Sequence, residues 1–92
     1  MLEELIKTGK TFEGCFTTSY SYGTIMGIDE KIQNKYLQWV ARLGVYCEAK
    51  LKTKYPNMTN QIISMVSKQS VFEKDYNIIM GYLECAKELQ NQ

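Results

Sequence analysis

The chain has 92 residues, 45% of them apolar and 23% charged, and 11 basic against 10 acidic side chains leave a formal charge of +1. That length holds one core and one domain, and the composition is that of a folded chain. The neutral balance gives no general pull towards nucleic acid or an anionic membrane surface.

Histidine is absent, which removes the commonest general base and the commonest transition-metal ligand. The three cysteines, Cys15, Cys47 and Cys85, are odd in number, widely spaced and form no C-x-x-C pair, so neither a disulfide framework nor a zinc site is expected. A reduced, cytoplasmic setting follows as the expectation. No apolar run approaches the roughly 18 residues that span a bilayer. The opening MLEELIKTGK is acidic early and lacks the apolar stretch of a secretory leader.

In chain order, the first expected helix covers Leu2–Glu13, with Leu2, Leu5, Ile6 and Phe12 on its apolar side. Glu3 and Glu4 come early and Lys7 and Lys10 late, an order that suits the helix dipole. Gly9 is a weak point in this helix and Gly14 a natural stop. Cys15–Ile28 carries no charge and is rich in Ser, Thr, Tyr and Gly. Alternation of Phe16, Tyr20 and Tyr22 leaves a short β-hairpin open, but an isolated hairpin is marginal. The expectation is therefore an irregular loop pinned by its aromatics. Its composition resembles that of adaptable binding surfaces.

Asp29 is the expected N-cap of a long helical stretch reaching Lys54, with a break near Asn34. Within it, Tyr36, Val40, Leu43, Cys47 and Leu51 recur at spacings of four, three, four and four, which places them on one helix face. Trp39, the only Trp, and Tyr46 widen that stripe. Lys35, Gln38 and Arg42 fall on the opposite, solvated side. Ala41 and Gly44 lie on a flank, where small residues admit a neighbouring helix. Lys50, Lys52 and Lys54 suit a helix C-terminus. Pro56 breaks the run, and a short third helix, Thr59–Lys68, is expected with Thr59 as its cap and Ile62, Ile63, Met65 and Val66 buried. Ser70-Val71-Phe72-Glu73 fits a capping box for the last helix. That helix shows one apolar row of Phe72, Tyr76, Ile79, Leu83 and Ala86 and a second of Ile78, Tyr82, Cys85 and Leu89. A face two rows wide implies contact with at least two other helices. Gln90-Asn91-Gln92 is a polar end.

The fold class expected is thus all-α: a compact bundle of about four helices with an irregular loop between the first and second. No catalytic signature accompanies it. The carboxylates are scattered, no Ser or Cys has a His beside it, and neither phosphate-loop pattern occurs around Gly23 and Gly27.

The pattern as a whole resembles the small helical N-terminal modules of bacterial antiphage and abortive-infection proteins, among them effector-associated and death-like adaptor domains. The resemblance lies in LEELIKTGKTF at Leu2–Phe12, KYLQWVARLGVYCEAKL at Lys35–Leu51 and FEKDYNIIMGYLECAKEL at Phe72–Leu89. These are packing patterns covering about half of the chain, and no functional residue carries over with them. The resemblance implies an adaptor that self-associates or recruits a partner, as the N-terminal module of a longer protein with a separate effector.

The functional expectation is a non-catalytic protein-interaction or oligomerisation module, with protein as its partner, no nucleic acid, no membrane and no cofactor. Tyr20, Tyr22, Lys35, Gln38 and Arg42 are the candidate partner-binding residues. Two alternatives stay open. One is a small nucleotide- or ligand-binding helical domain using Cys15–Ile28. The other is a phage or mobile-element protein that docks on a host enzyme and inhibits it.

Overall fold

The computed structural model describes residues 1–90. Four α-helices carry the fold: α1 (Leu2–Lys10), α2 (Gln33–Tyr46), α3 (Pro56–Ser67) and α4 (Glu73–Gln90). The all-α bundle is as expected, with one addition. Strands β1 (Thr18–Tyr20) and β2 (Ile25–Gly27) form an antiparallel hairpin inside the segment expected to be an irregular loop. The registers are Thr18 with Gly27, Ser19 with Met26 and Tyr20 with Ile25. So small a hairpin is marginal alone, but it has a third partner. Gly27 bridges to Phe72, and Ile28 N–H donates to Val71 O at 2.8 Å. The link between α3 and α4 thereby acts as an extra edge that no local pattern announces. A Cβ on Gly27 would sit 2.5 Å from Cε2 of Tyr20, so the ring can lie over this strand only because position 27 has no side chain.

α1 ends at Lys10, earlier than Glu13, because residues 11–14 form turns that close on Gly14 at φ 81°. Gly9 is a packing point as well as a weak one: a Cβ there would lie 2.6 Å from both Met80 Sδ and Trp39 Cζ2. Around this close approach, α1 offers its carbonyls to the other helices. Trp39 Nε1–H donates to Leu5 O at 2.9 Å, and the Tyr76 hydroxyl donates to Gly9 O at 2.7 Å. Phe12 and Phe16 complete the cluster. Phe12 meets Tyr36 edge-on at 5.1 Å, and Phe16 lies 4.7 Å from Tyr76. Tyr36 is fully buried, and its hydroxyl has no protein partner among the described residues.

Asp29 caps as expected, accepting from Lys31 N–H at 3.0 Å, but what it caps is a 3-10 turn at Glu30–Ile32. The break falls there, two residues before Asn34, and α2 begins at Gln33. α2 then runs into a wider π turn at Cys47–Leu51, closed by Lys52 N–H to Cys47 O at 2.9 Å. Cys47 and Leu51 are both fully buried. Gly44 admits α3, since a Cβ there would meet Val66 Cγ1 at 2.8 Å.

Three expectations about the second half need correction. α3 begins at Pro56, not Thr59, because proline at the first helical position lacks only an N–H that would be unpaired anyway. Thr59 is therefore inside the helix and fully buried. Its hydroxyl is bonded to Leu51 O and to the Tyr82 hydroxyl. Of the α3 apolar residues only Ile62 is fully buried; Ile63, Met65 and Val66 are half-buried. The capping box also does not form as read: Ser70 donates to Asp75, and Phe72 O is the first acceptor of α4, from Tyr76 N–H at 3.1 Å. Of the polar end, Asn91 and Gln92 lie outside the described residues.

Candidate functional site

The two apolar rows of α4 have different fates. Tyr76, Ile79, Leu83 and Ala86 enter the core, each at most 5% exposed. Of the second row only Tyr82 is buried; Ile78 stays 40% and Leu89 53% exposed, and Cys85 is exposed as well. The second row lies between α1, which meets α4 through Glu84 and Lys87, and the start of α3, and neither covers it beyond Tyr82.

The uncovered row forms one wall of an apolar groove of about 460 Å³, with Tyr55 and Met58 from the start of α3 on the other side. Tyr82 and Ala86 form its base. Tyr82 is held by its bond to Thr59, and burial raises its hydroxyl pKa while the Thr59 bond opposes that shift. Gly81 lies midway along the groove, and a Cβ there would have no neighbour within 4 Å. The surface above Gly81 is thus open, and a facing backbone can approach it closely. Asn77 supplies an amide at the margin and Cys85 an exposed free thiol.

Two of the charges of α4 are paired across to α1. Towards α1, Lys10 pairs with Glu84 at 3.9 Å and Lys87 with Glu3 at 3.8 Å, an antiparallel arrangement of the two helices. Lys74 and Glu88 lie seven residues to either side of Gly81, and Glu88 borders a second depression that Gly81 and Cys85 share with Ile6 and Lys10 of α1. Lys74 and Glu88 are both exposed, and among the described residues neither belongs to an ion pair.

The residues singled out from the sequence lie elsewhere. Tyr20 is half-buried, its ring edge-on to Phe72 at 5.4 Å. Tyr22 is fully exposed at the hairpin tip, in left-handed geometry at φ 58°. Lys35, Gln38 and Arg42 are exposed and share one face of α2. Arg42 also borders a shallow apolar depression with Met1, Val45 and Tyr46, so the solvated side of α2 is less polar than its spacing implies. The groove residues Met58, Ile78, Gly81 and Leu89 were not among the candidates. The signal for them was present in the double apolar row of α4, the second row of which the other helices leave open.

Strongly shifted acids belong to the core. Burial pushes the Cys47 thiol up to about 11 and the Tyr76 hydroxyl up to about 12, and raises Tyr36 further. Among the described residues there is no cluster of three metal-ligating side chains and no helix long and apolar enough to cross a membrane. No protein-family model, curated protein or solved structure matches the chain significantly.

Proposed function

We propose that the protein is a non-catalytic interaction or oligomerisation module, active in the cytoplasm, whose working surface is the apolar groove of α3 and α4. One observation carries the reading. Met58, Ile78 and Leu89, between 40% and 53% exposed, line one continuous groove, although the core behind it is already filled. Contiguous apolar surface on a small domain is a mark of protein contact. A role as an adaptor in bacterial defence, joined to a separate effector, rests on the sequence resemblance alone. The exposed Lys35–Gln38–Arg42 face and Tyr22 are a second surface under the same reading.

Light scattering across concentration, together with chemical cross-linking in extract of the source cell, tests it. Ile78→Asp is expected to leave the circular-dichroism spectrum intact, because its side chain faces solvent, and to abolish the association seen with the natural sequence. A strict monomer with no protein partner would overturn the proposal.

A further inference from the structure

The groove itself is uncharged, and its occupant follows from two charges of α4 that lie close to the line of Gly81 on the helical wheel. We infer that α4 pairs with α4 of a second copy, antiparallel, about a two-fold axis at Gly81. This rests on the interaction reading above and names its partner.

A two-fold interface must be complementary to itself, since each surface patch meets its own copy. α4 satisfies that requirement. Lys74 and Glu88 are equidistant from Gly81, seven residues before and after it, which is about two helical turns or roughly 10 Å each way. Antiparallel pairing about Gly81 therefore sets Lys74 of each copy against Glu88 of the other. A parallel pairing in register would instead set Lys74 against Lys74 and Glu88 against Glu88, which is repulsive. At the axis, Gly81 carries no side chain and its Cβ position is open, so the two helices can cross closely. Ile78 and Cys85 lie on the same side of the Gly81 line on the helical wheel. The two-fold brings Ile78 of one copy beside Cys85 of the other, with Met58 across the groove. The apolar row that the fold leaves uncovered is closed by the same row of the second copy.

Glu84 and Lys87 are engaged with α1, whereas Lys74 and Glu88, the pair that the two-fold superimposes, have no ion-pair partner among the described residues.

Sedimentation equilibrium on the full chain tests the pairing. The natural chain is expected to dimerise. Lys74→Glu is expected to weaken the dimer about tenfold, corresponding to 1.4 kcal/mol, and Lys74→Glu combined with Glu88→Lys to restore it. Gly81→Glu improves helix propensity, so the monomer is expected to stay folded while two like charges meet at the axis and abolish the dimer. Geometry is checked separately. Antiparallel pairing about Gly81 sets position 77 opposite Cys85, so Asn77→Cys with a short bifunctional thiol reagent is expected to give an interchain 77–85 link. An interchain 85–85 link in the natural chain would mean parallel pairing and overturn the inference. A monomer that captures a different protein through Ile78 would overturn the self-pairing and leave the module reading standing. A monomer with no partner would overturn both.

Discussion

Trp39 and Tyr22 show how differently two aromatic residues contribute to one small domain. Trp39 is 3% exposed, and its indole N–H is committed to Leu5 O. Trp39→Ala is expected to cost about 3–5 kcal/mol, measured by urea unfolding, from lost burial and the cavity left behind. Trp39→Phe keeps most of the ring and removes the hydrogen bond, so it is expected to cost roughly 1 kcal/mol for the bond plus a smaller packing loss. Tyr22 buries nothing. It occupies the first central position of a type I′-like turn, φ 58° and ψ 33°, followed by Gly23 at φ 88°. Left-handed geometry costs an ordinary residue about 1–2 kcal/mol, and Asn-Gly is the favoured pair for this turn. Tyr22→Asn is therefore expected to stabilise the fold by about 1 kcal/mol, seen as a higher urea midpoint. If stability falls instead, the ring makes a contact that outweighs the strain.

At the level of elements, the contact between α3 and α4 depends on a buried polar pair. Thr59 and Tyr82 satisfy each other's hydroxyls beneath the groove, with Leu51 O as the further acceptor. Thr59→Val leaves the Tyr82 hydroxyl unpaired where it is only 8% exposed, and is expected to cost about 1–3 kcal/mol. Combining it with Tyr82→Phe should recover part of that loss, and thermal denaturation of the four proteins in the cycle measures the coupling. Additive losses would show that the two hydroxyls do not depend on each other. This pair also marks what a sequence can convey. The central stripe from Tyr36 to Leu51 was legible because its spacing alone fixes the buried face, and the positions of α1 and α4 followed in the same way. Thr59 was misread as a cap because Thr before an apolar run is ambiguous until the start at Pro56 is known. The hairpin was placed second to an irregular loop because its stability comes from Val71 and Phe72, more than forty residues away along the chain. The groove was legible only as a second apolar row on α4.

At the scale of the whole molecule, the buried acids give stability a definite dependence on pH. Cys47 is raised from 9.0 to about 11 and Tyr76 from 10.0 to about 12, both chiefly because burial disfavours the charged form. Between the ordinary and the raised values, the unfolded chain has lost the proton and the folded chain keeps it. Unfolding then releases protons, so stability falls as pH rises. Urea midpoints are expected to hold up to about pH 9 and to decline from there through pH 12, the window set by those two groups. Midpoints that rise across this range would contradict the burial of both. The π turn at Cys47–Leu51 has a consequence of another kind. A π turn is, in effect, one residue more than an α-helix needs, and at 3.6 residues per turn one residue corresponds to a rotation of about 100°. The turn takes up that residue locally, so the buried face of Leu43 continues through Cys47 to Leu51 and the helix beyond stays in step with the part before it. Insertions and deletions in the exposed loops leave that alignment untouched. Removal of a single residue from Cys47–Leu51 is therefore expected to restore an ordinary α-helical turn and leave Tyr55 at the groove, whereas the same removal from a regular α-helical turn rotates everything beyond it by about 100°.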